Sequence, residues 1–147
     1  MNADDAVGRE RVISEAVSWL RTPFHVDACL KGVGVDCGRL LSAVYGAAGF
    51  AVPSEMGHFA KDWSAHTTEE RYLNFVKAYA HPVNTQEPGD IVMVKMIGSK
   101  VFSHGAIIIE WPNVIHAYWG RGVELADATK GLLGGGEKLF FSPFGTS

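Results

Sequence analysis

Cysteine is scarce in this sequence: of 147 residues only Cys29 and Cys37 carry a thiol. Two thiols are too few for a disulfide-stapled scaffold, and neither belongs to a Cys-x-x-Cys pair. A Cys29–Cys37 bridge would consume the better placed thiol, so Cys29 reads as a packing residue. Also missing is any run of about 18 apolar residues, which excludes a membrane-spanning helix. Residues 1–10, Met-Asn-Ala-Asp-Asp-Ala-Val-Gly-Arg-Glu, lack the basic start and apolar run of a secretory signal, so cytoplasmic synthesis is expected. Basic clusters are absent too. The formal charge is −3 and the lysines and arginines are scattered, which argues against a nucleic-acid partner. No internal repeat and no linker divides the chain. With 47% hydrophobic residues it is read as one domain, 1–147, with a core from about residue 9 to 144.

What the sequence does contain is a change of period. From about Asp5 to Arg21, Val12, Ile13, Ala16, Val17 and Leu20 form the apolar stripe of a helix, with Arg9, Arg11, Glu15 and Ser18 facing away. Thr22-Pro23 ends it, and Phe24 to Val35 reads as a loop. A second helix follows, capped by Asp36, with Leu40, Leu41, Val44, Tyr45 and Ala48 at helical spacing and Gly49 as a stop. A short helical turn carrying Phe59 and Trp63 is expected within 51–65. A capping box of Thr67 and Glu70 opens a helix buried through Tyr72, Phe75, Val76 and Tyr79, which His81-Pro82 stops. Alternation then takes over: strands are expected at Ile91–Met96, Val101–Ile109, Val114–Trp119, Val123–Ala126 and Lys138–Phe141. The Gly131–Gly136 run lacks the lysine and serine or threonine of a phosphate loop and reads as a mobile connection. Helices followed by an antiparallel meander give an α+β fold.

Chemistry concentrates at Gly32-Val33-Gly34-Val35-Asp36-Cys37-Gly38. Cys37 falls in the first turn of the capped helix, among unpaired N–H groups and the positive end of the dipole, where thiolate is favoured over thiol. A cysteine nucleophile needs a base and a group that orients the base. His25, His58, His66 and His81 lie in loops or at helix ends, as surface histidines do. His104 and His116 instead fall on strands, on positions of the same parity, 12 residues apart. In a hairpin centred near Glu110 they stand directly opposite each other; a turn placed later, at Trp111-Pro112-Asn113, would slide them apart. Ser103 and Gly105 leave room beside His104 for a helix end or a substrate.

The chain resembles the NlpC-type cell-wall peptidases, papain-like cysteine hydrolases, from about Arg9 to Phe144. The resemblance is carried by Trp19-Leu20-Arg21-Thr22-Pro23-Phe24, Gly34-Val35-Asp36-Cys37, Pro88-Gly89-Asp90-Ile91, His104-Gly105-Ala106-Ile107 and Ile115-His116-Ala117, in matching order and spacing. It implies a papain-like fold with Cys37 as nucleophile, His104 as general base and His116 as the polar third member. It further implies cleavage of peptidoglycan stem peptides at the D-isoglutamyl–diamino acid bond, with no metal or cofactor. Asp36, Phe24, Gly38 and Ser103 would line the substrate site, Asp36 contacting a substrate amine. Phe59, Asp62-Trp63 and Glu70 to Leu73 look most like the subgroup encoded beside phage tail genes and in gene-transfer particles, so tail proteins are the implied partners and a tail-like particle the implied location. Two positions depart from the family pattern. Phe24 stands where a tyrosine hydroxyl usually helps the oxyanion, and Gly38-Arg39 replaces the usual Ser-Gly. Losing one oxyanion donor costs about 10²–10³ in rate, so weak activity is compatible with this sequence. Two rival readings follow: a tail-assembly component whose chemistry has lapsed, and a zinc hydrolase using Cys37, His104 and His116 as ligands.

Overall fold

The computed structural model of the protein describes residues 3–53 and 70–145. In chain order the elements are α1 (Ala3–Ser18), β1 (Cys29–Leu30), β2 (Gly34–Val35), α2 (Cys37–Ala47), α3 (Arg71–Lys77), β3 (His81–Pro82), β4 (Ile91–Lys95), β5 (His104–Glu110), β6 (Asn113–Tyr118), β7 (Gly122–Asp127), α4 (Gly131–Gly134) and β8 (Glu137–Ser142). The fold is α+β, as its change of period implies. The helical turn expected within 51–65, with His58, Phe59 and Trp63, lies largely outside the described residues, as do His66 and Thr67 of the capping box.

Six strands form one antiparallel sheet in the order β3-β8-β4-β5-β6-β7. Strands β4 to β7 are the expected meander, but β8 does not continue it. The chain returns through α4, where a mobile connection was expected, and β8 pairs with β4 on the far side. His81-Pro82 does more than stop a helix: it adds β3 as a two-residue edge strand, where proline's missing N–H is tolerated. The presumed loop before α2 likewise contains a hairpin, β1 paired with β2.

Alternation gives the sheet two faces. Ile91, Met93, Ile107, Ile115 and Ala117 pack with Leu40, Leu41, Val44 and Tyr45 of α2 in the larger cluster. Val92, Val94, Ala106, Ile108 and Val114 face the other way and are covered by Leu133 of α4. In α1, Val12 and Ala16 are buried, whereas Val17, expected in the same stripe, is exposed. Arg9, expected on the solvent side, is only 6% exposed. Position 9 lies three residues before Val12, on the buried side of the helix, and its charge is met there by Asp90.

That meeting ties the domain together. Arg9 Nη1 donates to Asp90 Oδ1 at 2.8 Å and to the Pro88 carbonyl at 2.9 Å, and its guanidinium lies 4.4 Å from the Phe144 ring centroid. Gly89, at φ +91°, passes so close that a Cβ would sit 3.3 Å from Arg9 Cα; its carbonyl accepts from the Tyr45 hydroxyl of α2 at 2.7 Å, and its N–H donates to Ile108 O of β5. The Pro88-Gly89-Asp90 turn therefore joins α1, α2 and β5. Removing one partner from a buried ion pair strands the other charge, at a cost of about 3–5 kcal/mol. Asp90→Ala is expected to lower the urea-unfolding free energy by that amount.

Candidate active site

Asp36 adopts extended backbone (φ −100°, ψ 174°) and caps α2 as its sequence position implies. Oδ1 accepts from Arg39 N at 2.9 Å; Oδ2 accepts from Asp27 N and from Arg39 Nη1, each at 2.8 Å. At 7% exposure, this carboxylate organises the start of the helix and the preceding loop together. Gly34 is required by the same loop, because a Cβ there would meet His25 Cβ at 2.9 Å. Val35 N donates to Pro23 O and His25 N to Val35 O, so Phe24 is bridged to Val35 and packs half-buried against the main cluster. Gly38 is buried in the first turn, and Ser103 is half-buried just before β5.

Cys37 opens α2. The dipole argument leads one to expect a thiolate, but burial pushes the thiol up to about 12 and the nearby Asp36 charge adds to the shift. The Tyr72 hydroxyl and the Gly105 and Gly38 N–H groups oppose it without reversing it. Tyr72 reaches in from α3, its hydroxyl donating to Cys37 O at 3.1 Å. Gly105 makes the space: a Cβ there would lie 2.7 Å from Tyr72 Oη and 3.1 Å from Leu41 Cδ2. Glu70, at the N-cap of α3 rather than inside a capping box, uses its carboxylate to accept from Phe102 N at 2.9 Å, anchoring that helix beside the start of β5.

The two strand histidines do meet, though not as direct opposites. Ile107 pairs with Ile115 and Ile108 with Val114, so the hairpin is centred one residue later than Glu110, with an irregularity between Ile108 and Glu110. A two-residue slip keeps both side chains on one face and makes them diagonal neighbours, within reach for rings. His104 Nε2 and His116 Nδ1 are 2.8 Å apart, and Tyr118 packs edge-on against His104 at 5.7 Å between centroids. Across β6 and β7, His116 pairs with Glu124, and His116 Nε2 lies 2.8 Å from Glu124 Oε2. Arg121 Nη1 donates to that same oxygen at 3.1 Å.

Cys37 is held beside Gly105, one residue from His104. The histidines share the face of Val94 and Ala106, whereas Gly105 faces α2 and α3. Among the described residues no hydrogen bond joins the thiol to the imidazole. Burial, followed by the neighbouring His116, pushes His104 down to about 3, and burial also lowers His116 against the pull of Glu124. At rest the thiol and both rings are therefore neutral. A zinc ion would require the imidazole nitrogens to converge on one point; here Nε2 and Nδ1 face each other, and no group of three metal-ligating side chains occurs among the described residues. Tyr72 and Glu124 were not singled out as site residues by sequence reasoning. Glu124's even position on the expected strand after His116 was the available signal.

Two outcomes follow. Folded histidines that stay neutral bind fewer protons than unfolded ones, so stability is full above about pH 6.5 and falls below it, with a slope approaching about 1.4 kcal/mol per pH unit per ring. Urea titrations between pH 7.5 and 5 should show this loss, and His104→Gln should remove that ring's share of it, leaving the share of His116. Iodoacetamide should label Cys37 slowly at pH 7, with a rate still rising at pH 9, as mass spectrometry of the labelled peptide would show.

No protein-family model matches the chain, and no curated protein matches its sequence. Solved structures do. The NlpC1 protein of Trichomonas vaginalis aligns at TM-score 0.66 and 15% identity, over 96% of this chain and 44% of that one. The peptidoglycan hydrolase RipB of Mycobacterium tuberculosis aligns at 0.64 and 16%, over 99% and 69%. RipD of the same organism, a non-catalytic NlpC/p60 domain protein described as adapted to peptidoglycan binding, aligns at 0.59 and 15%, over 92% and 96%. The chain spans less than half the length of the T. vaginalis protein. At these identities the likeness is one of fold: helices on a six-stranded antiparallel sheet, arranged as in NlpC/p60 domains.

Proposed function

We propose that this chain is a cysteine peptidase of peptidoglycan stem peptides, with Cys37 as nucleophile, His104 as general base and His116 as its orienting partner. The observation that carries the reading is the buried His104–His116 hydrogen bond of 2.8 Å, with His104 on a strand whose next residue, Gly105, lies against the helix that begins with Cys37. Buried, hydrogen-bonded imidazoles with shifted pKa values cluster at functional sites, and that association supports the reading. Its placement on an NlpC/p60 fold supports the cell-wall substrate, because RipB, with this fold, is a peptidoglycan hydrolase.

The reaction starts from the neutral pair. His104 takes the thiol proton as sulfur attacks the amide carbonyl, and the resulting imidazolium then protonates the leaving amine; water hydrolyses the thioester. The oxyanion would be met by the Cys37 N–H at the start of α2. Phe24 supplies no hydroxyl for that purpose. Tyr72 brings a hydroxyl to the site, but it is already turned to the Cys37 carbonyl. We assign the D-isoglutamyl–diamino acid bond as the target, Asp36, Phe24, Gly38 and Ser103 as substrate-site residues, and a phage tail or tail-like particle as the setting, on the strength of the sequence resemblance.

A second reading is favoured by one observation: Cys37 is half-buried, and desolvation pushes its thiol up to about 12, which favours the protonated form. A domain of this kind could bind peptidoglycan without cutting it, as described for RipD. Mass spectrometry of muropeptide digests separates the two. The peptidase reading expects products cleaved at the isoglutamyl bond with wild type and a loss of about 10³-fold or more with Cys37→Ala. Sacculus binding without products in either protein would establish the binding reading instead.

A further inference from the structure

A carboxylate accepts hydrogen bonds and cannot donate them, and this one property sets the direction of the whole chain behind the candidate base. Glu124 Oε2 lies 2.8 Å from His116 Nε2, so that nitrogen must carry a proton. In a neutral ring the other nitrogen, Nδ1, is then bare and can only accept. Its partner at 2.8 Å is His104 Nε2, which must donate. His104 is thereby left with its single proton on Nε2 and an unprotonated Nδ1. Turning the relay around would set the lone pair of His116 Nε2 against the carboxylate, acceptor against acceptor.

We infer that Glu124 is a positioning residue: its carboxylate, acting through His116, fixes the tautomer in which His104 carries its proton on Nε2 and keeps Nδ1 bare, the form that the proposed reaction needs in order to accept the thiol proton. The placement is built by the fold. His116 and Glu124 are direct cross-strand partners in β6 and β7, on one face of the sheet. Arg121, three residues earlier, donates to the same Oε2 at 3.1 Å and so helps to fix where the carboxylate sits. Burial keeps both rings neutral, so each has one proton to place. When His104 takes the thiol proton, the charge that develops on the ring pair faces a carboxylate at the far end. The effect on rate rests on the peptidase reading; the tautomer rests on the hydrogen bonds alone.

Long-range proton–nitrogen spectra of the full chain with ¹⁵N-histidine, at pH 7.5, read the tautomers directly, and muropeptide turnover reads their consequence. In wild type both His104 and His116 should be protonated at Nε2. Glu124→Ala should populate the Nδ1–H forms and lower kcat by about 10²-fold with KM within about twofold. Glu124→Gln, nearly isosteric and still presenting an acceptor oxygen, should keep the Nε2–H tautomers and lose about tenfold in kcat, because only the charge is gone. Wild-type rings protonated at Nδ1, or alanine-variant rings with unchanged tautomers, would overturn the inference. So would a glutamine variant with wild-type kcat, which keeps the test decisive if the alanine variant does not fold. A tautomer change in a protein that cleaves nothing would uphold Glu124 and overturn the peptidase reading.

Discussion

The buried pairing of Arg9 with Asp90 is the contact on which the architecture depends. A guanidinium and a carboxylate removed from water are costly unless they pair with each other and with nearby polar groups, which imposes geometry on everything around them. Asp90 sits at the head of β4 and Arg9 in the middle of α1, so the pair sets the helix against the sheet. Gly89 lets the turn press against Arg9 and leaves its carbonyl for Tyr45 of α2. The helix bearing Cys37 at its far end is thereby located relative to the strand bearing His104.

The same economy of carboxylates recurs at the site. Asp36 caps α2 and holds both the preceding loop and Arg39, while Glu124 terminates the histidine relay. Between them stands a reaction centre that is uncharged at rest. The helix N-terminus alone would favour a thiolate, but enclosure by Tyr72, Gly105 and the core, together with the Asp36 charge, favours the thiol. Charge separation must then accompany attack, which places weight on the groups that receive the proton and the developing oxyanion.

Local patterns were legible where a short-range rule was sufficient. Asp36 as a cap, the buried stripe Leu40, Leu41, Val44 and Tyr45, and the strands from Ile91 onward follow from capping and periodicity. The same parity of His104 and His116 pointed to their sharing a face, and they do. Misreadings arose where a residue's partner is remote in sequence. Arg9 looked like a solvent-facing charge because Asp90 is 81 residues away. Glu70 looked like part of a capping box because Phe102 N, its actual partner, lies on another segment. A glycine-rich run looked mobile because nothing local shows that Leu133 covers the second sheet face.

The sequence by itself determined which residue types stand at a helix start and on alternating strand positions, since cap chemistry and the two backbone periods act over a few residues. Only the tertiary structure decided the register that makes the histidines diagonal neighbours, the return of β8 to β4, the carboxylate that orders the relay and the burial that keeps Cys37 a thiol. Register, strand order and desolvation depend on what packs across the sheet, and no rule confined to neighbouring residues contains that information.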